Sequence, residues 1–309
     1  MSGKISHYLQ LIRWPNLTIM ALIYLLFRYG FLDLLGIEHA LSGGEYLLLT
    51  LSVLSVAAAG YVINDLYDQR ADRINKPDKL IIGRYLREKQ AQNAYYFFSV
   101  LGVGLGIFVG YQVGMYNLGL IHALSILLLY FYATQLKRQP IIGNLIISLL
   151  AFSVLMIIPL FDLLPVMDSG NKDVLFPFFN IFLAYGTFSF FITLAREIIK
   201  DLEDVKGDRE AGYQTFAVIA PLWANKLLVF ISLTLILIGF FLFLLMSYRS
   251  DFISFGYVLA FLLTPSLYLV WLTTKASEKD DYHKLSLGLK VLMVLGIFSV
   301  LVFSLAFQI

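Results

Sequence analysis

The stretch LSVLSVAAAGYVINDLYDQRADRINKPDK, residues 51–79, changes character in its middle: apolar and small residues run up to Ile63, and three aspartates follow at 65, 68 and 72. Its first half, with the apolar residues before it, is long enough to cross a bilayer as a helix. If the helix continues, Asp65, Asp68 and Asp72 lie three and four residues apart and share one face within about 60°. Three carboxylates there repel one another, and the C-terminal end of a helix is already negative. The arrangement therefore calls for a cation, and oxygen-only ligands suit Mg²⁺ or Ca²⁺ better than a softer metal. Taken alone, the stretch reads equally well as solvated charges where a helix leaves the membrane.

The pattern occurs twice. Residues 199–209, IKDLEDVKGDR, match residues 63–73, INDLYDQRADR, at six of eleven positions, and Asp201, Asp204 and Asp208 repeat the first spacing at an offset of 136 residues. A second carboxylate face of the same kind points to a shared site.

Composition sets the solvent. Of the 309 residues 59% are hydrophobic and 14% charged, against about 25% charged in ordinary globular domains, and the mean hydropathy is +0.79. Nine apolar runs of spanning length are expected near 15–35, 45–67, 92–112, 115–134, 141–164, 174–199, 222–246, 253–273 and 287–307. The fold class is thus all-α, a polytopic bundle of nine transmembrane helices read as one integral-membrane domain over residues 1–309. Barrel strands are shorter and alternate polar with apolar, which this chain does not do.

With the N-terminus inside, 20 of the 23 Lys and Arg fall on inner segments, and only Arg28, Lys172 and Arg249 remain outside. Cytoplasmic loops carry such an excess, so the expected orientation is N-terminus cytoplasmic, C-terminus opposite, with both acidic motifs at the cytoplasmic ends of even-numbered spans. The net charge of +2 reflects this topology and gives no reason to expect nucleic acid. The first apolar run is too long for a cleavable signal and lacks a small-residue cleavage site. The absence of cysteine excludes disulfides, iron–sulfur clusters and thiolate zinc sites. His7, His39, His122 and His283 show no ligand spacing, so haem and catalytic zinc are unsupported. The glycines of GVGLGIFVG, residues 102–110, sit within an apolar helix, where Gly102, Gly106 and Gly110 suit close helix packing rather than nucleotide binding.

Two facing acidic clusters at a membrane boundary suit a di- or polyphosphate held through Mg²⁺, which keeps some of its waters and bridges to phosphate oxygens. Basic residues stand close by to neutralise such a group: Arg73, Lys76 and Lys79 after the first motif, Lys137 and Arg138 after the fourth span, Arg196 and Lys200 before the second motif. Each is also accounted for by the positive-inside rule, and Lys137 stands out because its span ends on the inner side. Ion-coupled transporters likewise place repeated acidic half-motifs inside a bundle. Their carboxylates sit near the midplane, however, and the two motifs here share one orientation rather than an inverted one.

These residues carry a resemblance to the UbiA superfamily of intramembrane prenyltransferases. The chain is similar along its whole length: Asn16 in RWPN at the first span, NDLYDQRADRINKP after the second, LKRQPIIGN after the fourth and REIIKDLEDVKGDREAGYQT after the sixth. By that resemblance Asn64, Asp68, Asp72, Asp201, Asp204 and Asp208 would hold two Mg²⁺ ions bridging the diphosphate, with Asp65 supporting, and Asn16 and Lys137 would contact or position the donor. The resemblance implies ionisation of an allylic isoprenyl diphosphate, with charge on the departing diphosphate stabilised by Mg²⁺ and basic groups, and capture of the carbocation by an acceptor in the membrane of a prokaryotic cell. Tyr61, Tyr67, Tyr132, Tyr185, Phe188 and Phe191 are candidates to face the cation, although packing explains each of them as well. Within the superfamily the second motif is most similar to the branch that transfers a geranylgeranyl group from geranylgeranyl diphosphate to geranylgeranylglyceryl phosphate. NKPDKLIIGRYLRE departs from the Arg-Pro loop of quinone-pathway members, putting apolar Leu80, Ile81 and Ile82 between Lys79 and Arg84, which argues against 4-hydroxybenzoate and leaves dihydroxynaphthoate as an aromatic alternative. Asp201 or Glu203 would take the final proton from an alcohol acceptor.

Overall fold

Ser42 accepts from the backbone N–H of Glu45 while the Glu45 carboxylate accepts from Ser42, a reciprocal cap that starts the helix Gly43–Asn75. That helix stops only where Pro77 bars the preceding residue from helical backbone. In the computed structural model, which describes residues 2–247 and 251–306, it is α3 of a helical chain. The others are α1 (Ser2–Leu11), α2 (Trp14–Leu32), α4 (Glu88–Gln112), α5 (Tyr116–Thr134), α6 (Ile142–Val166), α7 (Lys172–Ala211), the one-turn α8 (Phe216–Ile219), α9 (Leu222–Ser247), α10 (Phe252–Lys275) and α11 (Lys279–Ala306). Among the described residues nine helices are long and apolar enough to span a membrane, as the nine apolar runs lead one to expect, and there is no strand beyond one isolated bridge between Ile82 and Leu86.

Two spans run well past the C-terminal ends of their apolar runs. α3 continues eight residues past 67, and α7 runs 40 residues before Gly212, at φ 80, ends it in the left-handed conformation. At 1.5 Å per residue α3 is about 50 Å long and α7 about 60 Å, against a hydrocarbon core of about 30 Å. Periodic hydrophobicity marks where lipid stops; helical hydrogen bonding does not stop there. The overrun carries Asp68 and Asp72 of the first motif and Asp201, Asp204 and Asp208 of the second past the apolar runs, at the end of the bundle shared by the start of α2 and the start of α11.

The opposite end is closed by a buried ion pair. Arg28, 3% exposed, donates to the Asp162 carboxylate at 2.7 Å and to the Leu41 carbonyl, and the Leu41 N–H donates to the same carboxylate. Phe27, Phe31, Phe161 and Phe182 pack beside it. A second core gathers Ile192, Ile199, Leu233 and Leu285 behind α7. The third explains the apolar insertion after the first motif: Ile82 and Leu86 are buried against Leu11 of α1 and Ala91, Gly83 turns at φ 84, and the His7 ring stacks on Tyr85 at 4.1 Å. Ile82 and Leu86 thus anchor that loop in the bundle, while Gly83, Arg84, Tyr85 and Arg87 stay exposed. Gly102 and Gly106 do pack closely, against Val56 and His122, where an added Cβ would overlap the neighbour.

The basic-residue distribution meets one gap. Of the three basic residues expected outside, Arg28 and Lys172 lie at the end opposite the aspartates, and Arg249 lies outside the described residues.

Candidate active site

The two motif helices are stitched together by Asn75. Its side-chain amide donates to the Asp204 carbonyl at 2.9 Å, and its side-chain oxygen accepts from the Gly207 N–H at 2.9 Å. Gly207 stands where the first motif has Ala71, and a Cβ there would run into Asn75. One of the five mismatches between the two repeats is therefore the price of the helix crossing.

Around that crossing both acidic faces close on one ammonium. Lys137, in the short turn between α5 and α6, pairs with Asp68 and also lies within electrostatic reach of Asp72, Asp201 and Asp208. Burial favours neutral lysine, but Asp68 and the groups around it outweigh that effect and hold the ammonium above its ordinary range. Asn64 donates to Asp68 at 2.7 Å. Lys76 reaches across from the end of α3 to Asp204 at 2.5 Å. Asp201 accepts from Asn144 of α6 at 2.8 Å, and Asp65 is held by Arg13 at 2.8 Å.

Among the described residues no three carboxylate or imidazole groups stand close enough to hold a metal by themselves; the lysines take that place. The donor set nevertheless fits a hard cation. Asp68 Oδ1 and Asp204 Oδ1, one from each motif, are buried without a hydrogen-bond partner, and an orphaned buried carboxylate oxygen is costly unless a cation meets it.

The remaining expected residues divide. Arg196 and Lys200 both turn to Glu197, at 3.3 and 3.0 Å, one turn deeper than the second motif, and Asn16 accepts from Lys290 of α11 at 2.9 Å. Arg73 is exposed, Arg138 is exposed over the Tyr213 ring at 5.2 Å, and the Lys79 side chain lies outside the described residues. Glu203 faces α11, where it meets His283 at 3.0 Å, since two residues from Asp201 is a rotation of about 200°. Tyr61 lies beneath Arg13 at 4.9 Å, whereas Tyr185 bonds Ser299 and Phe188 packs on Phe240 and against Gly296. Arg13, Asn144, Glu197 and Lys290 were not singled out by sequence reasoning. Arg13 opens the quoted RWPN, Asn144 ends LKRQPIIGN and Glu197 is the second residue of REIIKD, so position within a motif was their one available signal; Lys290 had none.

The chain is an all-helical membrane bundle that gathers two acidic helix faces around two half-buried lysines. The UbiA prenyltransferase family profile matches residues 18–304, and the chain belongs to that family, which removes the transporter reading. Similar sequences include the digeranylgeranylglyceryl phosphate synthases of Methanosphaera stadtmanae, 29% identical over 94% of this chain and 97% of that protein, and of Methanococcus maripaludis, 30% identical over 84% and 86%. Among solved structures, a digeranylgeranylglyceryl phosphate synthase superposes with a TM-score of 0.63 at 23% identity, covering 98% of this chain and 99% of that one. A UbiA homologue from Archaeoglobus fulgidus bound to GPP and Mg²⁺ superposes at 0.60, with 15% identity, over 95% and 99%. At these identities the structural likeness is one of fold.

Proposed function

We propose that this chain transfers a geranylgeranyl group from geranylgeranyl diphosphate to geranylgeranylglyceryl phosphate, in a Mg²⁺-dependent reaction at the membrane surface. The observation that carries the reading is the convergence of both acidic motifs on Lys137 with one unpartnered buried carboxylate oxygen in each motif. The acceptor is supported by the relatives, which bear the name of that synthase over nearly the whole length of this chain. The crowding of basic residues at the aspartate end supports a cytoplasmic opening.

Asn64, Asp68, Asp72, Asp201, Asp204 and Asp208 would hold Mg²⁺, two ions in this reading. When bound, Mg²⁺ supplies positive charge against the diphosphate oxygens. Lys137 and Lys76 pair with Asp68 and Asp204 and stand where a diphosphate would meet them. The bond from the allylic C1 to the diphosphate oxygen breaks, and the electron pair leaves with the diphosphate. The acceptor hydroxyl oxygen then bonds to C1 and gives up its proton. Of the two carboxylates expected to take it, Asp201 faces the cluster and is oriented by Asn144, whereas Glu203 is turned away to His283. Water is kept from the cation by the apolar side chains of the bundle.

The test is turnover of radiolabelled geranylgeranyl diphosphate by the purified protein with Mg²⁺, offering geranylgeranylglyceryl phosphate, dihydroxynaphthoate and 4-hydroxybenzoate separately. Prenylated glycerophosphate is expected. Product only with an aromatic acceptor would overturn the acceptor while keeping the chemistry.

A further inference from the structure

Two anionic substrates each bring charge that the bundle must meet, and the structure offers a second set of cations. Beside the aspartates, on the side away from the helix ends, four basic side chains meet from two helices, α7 and α11, and from the residue that precedes α2. Arg13 lies over Tyr61, Arg196 and Lys200 flank Glu197, and Lys290 reaches in from α11 to Asn16. Lys290 is eleven residues into its helix, about 16 Å along the axis, and it lies within electrostatic reach of Arg196. Two carboxylates answer these four cations. Asp65 is taken by Arg13, and Glu197 is shared, with Lys200 on both of its oxygens and Arg196 on one. Arg196 Nε is buried with no partner, and the one hydrogen bond of the Lys290 ammonium among the described residues goes to a neutral amide oxygen.

Cations in a membrane bundle are normally matched by carboxylates or mark a ligand path. This group is left with excess positive charge and no carboxylate pair free to bind a metal. It therefore suits an anion that arrives without one, whereas the aspartate cluster suits an anion that arrives with one. Resting on the function proposed above, we infer that Arg196, Lys200 and Lys290, with Asn16, form the subsite for the phosphate monoester of the acceptor. Lys290 selects for that phosphate, and the donor diphosphate stays with the aspartates and Lys137. Lys290 and Arg196 are positioning residues for the acceptor, and neither touches the bond that breaks.

The experiment compares the unmodified protein with Lys290→Met and Lys290→Arg, using geranylgeranylglyceryl phosphate and its phosphate-free analogue, geranylgeranylglycerol, as acceptors. Loss of one charge-assisted contact is worth about tenfold or more in affinity. For Lys290→Met, KM for the glycerophosphate should rise by about that factor, KM for geranylgeranyl diphosphate should change less than about twofold, and the preference for the phosphorylated acceptor should fall by about the same factor. Lys290→Arg keeps the charge and should retain most of the preference, which separates loss of charge from loss of fold. An unchanged preference in Lys290→Met, or a rise confined to the donor KM, overturns the subsite while leaving the reaction standing. No turnover of either glycerol-based acceptor by the unmodified protein overturns the functional reading and the subsite with it.

Discussion

Lys137 is the residue on which the two acidic faces depend for charge balance. Replacing it with methionine leaves Asp68 without its cation and removes positive charge from the place where a diphosphate would sit. Turnover of Lys137→Met should fall by about a hundredfold or more, the scale set by losing one preorganised charge contact to a leaving group. Asp68→Ala and Asp204→Ala should each abolish Mg²⁺-dependent turnover, since each deletes the carboxylate bearing its motif's orphaned oxygen. Steady-state rates alongside thermal unfolding in detergent check these variants; normal turnover in either aspartate variant would count against a metal held between the motifs. Chelation should silence the unmodified protein, and added Mg²⁺ should restore it. The aspartate pattern was legible in the sequence because three- and four-residue spacing fixes a helical face. The partners of those aspartates were not: Arg13 meets Asp65 across 52 residues and Asn144 meets Asp201 across 57, and no local periodicity encodes which helices become neighbours.

At the scale of elements, the crossing of α3 and α7 brings the two motifs into one site. It works because Asn75 bonds two backbone groups of α7 and because Gly207 lacks a Cβ. Gly207→Ala should force the helices apart or displace Asn75, costing about 1–3 kcal/mol as overpacking does. The thermal midpoint should fall and the Mg²⁺ concentration for half-maximal rate should rise. Equal stability and equal Mg²⁺ dependence would show that the close approach is dispensable. The repeat of eleven residues foretold that both segments would be helical and acidic on one face. It also showed Gly207 opposite Ala71 without saying why; the reason is the neighbour, and the neighbour is a tertiary fact. The overrun of both helices past their apolar runs was hidden for a related reason, since hydropathy reports contact with lipid while backbone hydrogen bonding continues into polar sequence.

At the scale of the whole molecule, the charged end carries the chemistry and the far end is fastened by Arg28 and Asp162, joined to the Leu41 backbone. Breaking a buried pair from one side strands the other charge, at a cost of about 3–5 kcal/mol. Arg28→Met should therefore lower the thermal midpoint sharply while leaving KM for both substrates unchanged in the folded fraction, because the pair lies at the opposite end of the bundle. Adding Asp162→Leu should restore part of the stability, and only part, because Leu41 then loses both partners. A double variant no more stable than the single one would argue that the pair contributes through packing rather than charge.

The sequence by itself determined the solvent, the nine spans, the helical character of both motifs and the kind of ligand they suit, because burial in lipid and the helical repeat are local properties of the chain. Tertiary structure alone decided that Lys137 stands between the motifs, that Arg13 is taken by Asp65, and that Lys290 enters from the last helix to reach Asn16, 274 residues away. A charged side chain in a bundle is directed by the nearest charge it can satisfy, and which charge is nearest is set by how the helices pack.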